Sequence, residues 1–165
     1  MDIELRRVLL EMASADQEAH AALVTACEHS DELRTAVEER SSPHGSTPAW
    51  LIEWEDPPET VQRIQAVVRA NTDRLRELIS ERGWPGRSSV GDEGARAAWL
   101  IAHHADDLSL QRTAVDLLRR ATETGDADIA QLEWLEDRVL LREGKPEKYG
   151  THSGCRGDPP MPRLP

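Results

Sequence analysis

The chain contains no phenylalanine, one tyrosine (Tyr149) and two cysteines, Cys27 and Cys155. Two cysteines without a CxxC spacing exclude a disulfide framework and a cysteine-rich zinc site. They read instead as small apolar side chains. Long hydrophobic runs are also missing. No stretch approaches the ~18 consecutive apolar residues that a spanning helix needs, so no membrane association is expected. The first residues, MDIELRRVLLEMASADQ, lack the unbroken apolar core and small-residue cleavage site of a secretory signal, and a cytoplasmic location is expected. Basic charge is scarce as well. There are 20 Lys and Arg against 31 Asp and Glu, for a net charge of −11. Binding to nucleic acid or to an anionic membrane rests on a basic surface that neutralises phosphates. Here the basic residues are interspersed with acidic ones, as on a solvated helix surface, so nucleic acid is not an expected partner.

The length, 165 residues, suits a single domain. Apolar residues recur at three- and four-residue spacing, and no segment alternates like a strand. The pattern predicts a helix from about Asp2 to Glu28, with Leu5, Val8, Leu9, Met12, Ala19, Leu23 and Cys27 on its stripe. A short helix capped by Ser30 or Asp31 and ending near Arg40 follows. Residues 41–58, SSPHGSTPAWLIEWEDPP, break the periodicity with four prolines and a glycine. This loop has an apolar centre at Trp50, Leu51, Ile52 and Trp54. Further helices are expected over Pro58–Arg82, from Asp92 to Asp106, over Ser109–Thr124, and over Ala127–Glu143 with Asp126 as N-cap. The expected fold is all-α: a single-domain bundle of five or six helices over residues 1–152, then a mobile Pro/Gly-rich tail over 153–165.

Polar side chains on apolar stripes are the informative positions, because burial without partners costs free energy. Asp16 lies on the stripe of Met12, Ala19 and Leu23, and His20 follows it by four residues. That spacing suits either a carboxylate–imidazole hydrogen bond or two ligands to one metal. Asn71 interrupts the stripe between Val67/Val68 and Leu75. His104 shares a face with Ala97 and Ile101, whereas His103 points about 100° away, so His104 is expected to be the inward one and the pair is not expected to chelate one ion together. Asp106 is placed either to orient an imidazole or to cap the next helix. Asp137-Arg138 lies beside Leu135 and Val139, as an internal ion pair or a binding pair. Tyr149-Gly150-Thr151-His152 offers a turn with a hydroxyl and an imidazole.

Taken together, Asp16-Gln17, Asn71, Trp84-Pro85 with Ser88/Ser89 and Val90-Gly91, Ala98-Trp99-Leu100 to His104-Ala105-Asp106, Gln111, Asp137-Arg138-Val139 and Tyr149-Gly150-Thr151 resemble the uncharacterised bacterial helical family DUF6624, over about residues 5–152. The family pattern is polar at the positions that periodicity singles out. This implies a shared pocket containing Asp16, Asn71, His104, Asp106 and Asp137, or else a polar network that fixes the fold. The chain departs from that pattern by carrying His103 where Gln is usual, His152 where Gln is usual and His20 where Arg is frequent.

The expected function is that of a small-molecule enzyme using histidine–carboxylate acid–base chemistry for hydrolysis, elimination or cyclisation in a specialised bacterial pathway. The catalytic set is His104, Asp106 and Asp16. The substrate-binding set is Asn71, Trp84, Ser89, Trp99, Asp137, Arg138, Tyr149 and Thr151. Two other readings stand beside it. One is a non-enzymatic interaction protein, an immunity or regulatory partner, presenting Trp50 and Trp54. The other is a metal-dependent enzyme holding a transition-metal ion through His20, His103, His104 and His152. The cofactor expectation is thus none or a transition metal, and a homo-oligomer stays open.

Overall fold

The computed structural model describes residues 1–41, 48 and 54–152. Those residues form six helices and no strand. The tail 153–165 and the loop residues Trp50, Leu51 and Ile52 lie outside the described part.

Helix α1 spans Ile3–His29 and is capped by the Asp2 carboxylate, which accepts from the Leu5 amide at 2.9 Å. Leu5, Leu9, Met12, Asp16, Ala19 and Leu23 are all buried. Their alternating four- and three-residue steps make one continuous seam, and Asp16 occupies a seam position. Helix α2, Asp31–Arg40, starts at Ser30, whose hydroxyl accepts from the Leu33 amide. Helix α3, Glu59–Arg82, repeats the seam with Val61, Ile64, Val68, Asn71, Leu75 and Leu78. It stops at Gly83, whose φ of 76° disfavours a side chain.

Helix α4, Arg87–His104, is the centre of the fold and packs against α1, α3, α5 (Leu108–Glu123) and α6 (Ile129–Arg142). Every residue from Ala97 to His103 is buried. A helix apolar on all sides is one that is surrounded. Its beginning differs from expectation: a first turn from Arg87 precedes a break at Gly91 (φ 73°, ψ 172°), and the long straight part starts at Asp92, as the sequence pattern suggests. The caps of the last two helices also differ. Asp107, not Asp106, caps α5 by accepting from the Ser109 and Leu110 amides. Asp128, not Asp126, caps α6. Asp126 instead accepts from the Ser88 amide at 2.6 Å and ties the α5–α6 turn to the start of α4.

The main core joins α1, α3, α4, α5 and α6. A smaller cluster of Ala19, Leu23, Val61, Ile64 and Val68 lies between the later half of α1 and the first half of α3, with Trp54 packed against it. The Arg40 guanidinium stands 4.3 Å above the Trp54 ring. Trp54 therefore covers core rather than forming an exposed docking patch. Among the described residues no helix is long and apolar enough to cross a membrane.

Candidate functional site

The site is built at the C-terminal end of α4, where the last carbonyls of a helix have no partner within it. Side chains from other helices supply those partners. Gln111 of α5, fully buried, donates through Nε2 to the Ala102 and His103 carbonyls at 3.1 and 3.0 Å. Arg142 of α6 donates to the Ala105 carbonyl, to Gln111 Oε1 and to the Asp106 carbonyl. The Asp106 amide donates to Thr72 Oγ1 of α3 at 3.3 Å. His103 and His104 thus stand on a helix end fixed by three neighbours. Replacing Gln111 by Ala strands the His103 carbonyl, leaves the Ala102 carbonyl only the long 3.4 Å bond from the Ala105 amide, and removes one acceptor of Arg142. It is expected to cost about 1–3 kcal/mol, read as a fall of several degrees in the thermal midpoint; an unchanged midpoint would show that water serves those carbonyls equally well.

Two groups form around this end. The first joins α4 to α1. Asp16, 1% exposed, meets His104 with its Oδ2 2.7 Å from Nδ1. A carboxylate accepts, so Nδ1 carries the proton and Nε2 is the basic nitrogen. His20 directs its own Nδ1 to the Asp16 backbone carbonyl at 2.8 Å and lies 3.4 Å from the carboxylate. The His20 and His104 ring centroids are 4.4 Å apart. This group reaches the surface, with side-chain exposures of 21% for His20 and 11% for His104. Burial, and next the His104 imidazole, lower the His20 pKa against the pull of Asp16. Asn71, assigned to substrate, donates instead to the Met12 carbonyl at 3.1 Å, one turn before Asp16, and locks α3 to α1.

The second group joins α4 to α6 and the turn after it. His103 is 2% exposed and packs against Trp99, Trp134 and His152, with its ring stacked at 10° on His152 and the two Nε2 atoms 3.4 Å apart. Asp137, wholly buried, accepts from the Lys148, Tyr149 and Thr151 amides and from the Thr151 hydroxyl. Because that hydroxyl proton goes to the carboxylate, Thr151 Oγ1 accepts from His152 Nδ1 at 2.8 Å. Glu147 fixes the turn further by accepting from the His152 amide. Burial works against the Asp137 charge, but the donors outweigh it and hold its pKa low. Burial pushes the His103 imidazole well below its ordinary value, aided by the Arg138 charge. Arg138 is itself lowered to about 10 by burial beside Arg142. His152 is pushed down to about 4, by burial and then by Arg138.

The low pKa of His152 has a measurable consequence. The folded imidazole stays neutral down to about pH 4, whereas the unfolded chain takes up that proton near pH 6.5. Between those values the unfolded state binds more protons, so stability falls as the pH drops, by up to about 1.4 kcal/mol per pH unit. His152→Gln is expected to flatten the curve of urea-unfolding free energy over that interval. An unchanged slope would contradict a buried, neutral His152.

Several expectations are corrected. His103, not His104, is the more buried histidine, because α4 is packed on every side and the 100° between them turns each into a different interface. Asp106 does not orient an imidazole: its carboxylate faces Arg69 at 4.0 Å, and Asp16 takes that role. Ser89 donates to the Gly86 carbonyl at the opposite end of α4, roughly 20 Å along the helix from His104. Trp84 lies near that same end, packed on the core. Trp99 donates to the Gln131 carbonyl and walls the second group. Tyr149 donates to Glu136, on the outer side of the turn. The four histidines do not enclose one ion. They form a row, His20–His104–His103–His152, with neighbouring ring centroids 4.4, 5.6 and 5.6 Å apart. Thr72, Gln111, Arg142 and Glu147 escaped assignment from sequence. Gln111 was detectable, since it shares the buried stripe of Ala114, Val115 and Leu118.

The model of DUF6624, a family of unknown function, matches residues 48–158. That stretch holds α3 to α6 and the Tyr149–His152 turn, and leaves Asp16 and His20 of α1 outside it. No curated protein and no solved structure matches significantly.

Proposed function

The chain belongs to the DUF6624 family, and we propose that it is a small-molecule enzyme whose reacting group is the Asp16–His104 pair. The observation that carries this is the 2.7 Å contact between a buried carboxylate and an imidazole that reaches solvent. Asp16 fixes the tautomer and would stabilise the imidazolium formed when Nε2 takes a proton from water or from an acidic C–H, O–H or N–H of a substrate. Hydrolysis, elimination and cyclisation all need a positioned base of this kind. We place the reaction in the cytoplasm, on a soluble substrate that sits over His104 and His20.

The second group favours another role for its half of the row. The Asp137 carboxylate is occupied by main-chain amides, and it clamps the Tyr149–His152 turn onto α6. An interaction protein whose polar network serves stability alone would look like this half throughout. It would not need a surface-reaching imidazole on a buried carboxylate.

A panel of small activated esters, lactones, amides and β-elimination substrates tests the proposal. The wild-type chain is expected to turn over at least one class, and His104→Gln to lower kcat by about 10²–10⁴ with unchanged circular dichroism. Absence of turnover across the panel, or turnover unaffected by His104→Gln, would remove the enzymatic reading.

A further inference from the structure

Asp16, His20 and His104 present one nitrogen or oxygen each, and these three atoms lie within 4.8 Å of one another. Asp16 and His20 stand one helical turn apart on α1, and His104 closes the group from the fixed end of α4. The second carboxylate oxygen, Asp16 Oδ1, is buried and has no hydrogen-bond partner among the described residues, although a buried carboxylate oxygen is ordinarily served by a donor. The group is also partly open to solvent, so a bound species would keep positions for water or substrate.

We propose that Asp16, His20 and His104 form a binding site for one first-row divalent transition ion, of the zinc, iron or cobalt class. Two imidazoles and one carboxylate match the donor preference of those ions, whereas magnesium and calcium take oxygen sets. Three protein ligands with open positions is the pattern of a catalytic rather than a structural site. A second cluster, Asp137, Glu147 and His152, meets the same distance limit. It does not compete, because both Asp137 oxygens and Glu147 Oε1 already accept main-chain amides. His103 and His152 therefore have no part in the site. This site rests on the same centre as the proposed function: the imidazoles would hold the ion, and the ion would supply Lewis acidity to a bound water or substrate oxygen.

The test uses the full-length chain stripped with a chelator, then titrated with Zn²⁺ or Co²⁺ alone. The expected result is one ion per chain, with the visible absorption of nitrogen- and oxygen-ligated cobalt. His20→Gln, a change at a partly exposed position, is expected to weaken binding more than about 100-fold, beyond the usual effect of an outer-sphere change. His152→Gln is expected to bind as the wild type does. No stoichiometric uptake, or equal uptake by His20→Gln, would overturn the site. Should His20→Gln fail to fold, the paramagnetically shifted imidazole signals of the cobalt form decide: shifts of His20 and His104 support the site, and shifts of His103 and His152 overturn it. A chain that binds no ion yet loses turnover in His104→Gln keeps the acid–base reading and loses this one.

Discussion

Asp16→Asn is expected to cut turnover by about 10³–10⁴ while leaving the helices intact. The amide keeps the size of the carboxylate but carries no charge and presents both an acceptor and a donor. Facing His104 Nδ1, its NH₂ would favour the tautomer that puts the proton on Nε2, so that Nε2 is no longer the basic nitrogen. The equivalent change in a Ser-His-Asp triad lowers kcat by about 10⁴ for this reason. Asp16 is 1% exposed and sits in the α1 seam, so truncation to Ala would mix a packing defect with the chemical one. The nearly isosteric Asn separates them. Measured kcat and thermal midpoint together give the answer: a large loss of kcat with a small change in midpoint is expected, and the reverse ratio would make Asp16 a structural residue.

The second large effect is on stability. Asp137→Ala removes the acceptor of the Lys148, Tyr149 and Thr151 amides and of the Thr151 hydroxyl, all at 2.7–3.0 Å. The position is wholly buried, so water reaches those donors only if the turn peels from α6. A cost of about 3 kcal/mol or more is expected. For a domain of this size that is roughly 6–12 °C in thermal midpoint. The loss should be largest near neutral pH. The Asp137 pKa is held below its ordinary 3.8, so its contribution is complete above that value and fades as the pH falls through the lower, folded-state value. Turnover per folded molecule should survive, because the Asp16–His104 pair belongs to a different interface. A substrate-binding Asp137 would instead lose turnover with little change in midpoint.

The helices were legible because their stripes are regular. Leu5 to Leu23 and Val61 to Leu78 step by four and three without interruption, and Asp16 and Asn71 were conspicuous as polar residues on those stripes. The end of α4 was not legible in the same way. Periodicity assigns an inside and an outside to a helix, and α4 has no outside between Ala97 and His103. The rule therefore had to misplace one of two adjacent histidines. Asp106 and Asp107 illustrate a different limit. Two neighbouring carboxylates are equivalent as capping candidates until the backbone direction is known, and Asp107 has the extended conformation that an N-cap requires. The row of imidazoles depends on which helices pack against α4, and no single segment encodes that. The matched family model likewise stops short of α1, and the direct contact of Asp16 with His104 emerges only from the three-dimensional arrangement.

The most direct measurement is the tautomeric state of His104, read from the long-range ¹H–¹⁵N spectrum of the imidazole side chains. With Nδ1 2.7 Å from Asp16 Oδ2, the neutral ring should carry its proton on Nδ1, and Asp16→Asn should abolish that preference. A His104 ring protonated on Nε2 in the wild-type chain, or one averaging between tautomers as free imidazole does, would contradict a reacting group set by the buried carboxylate.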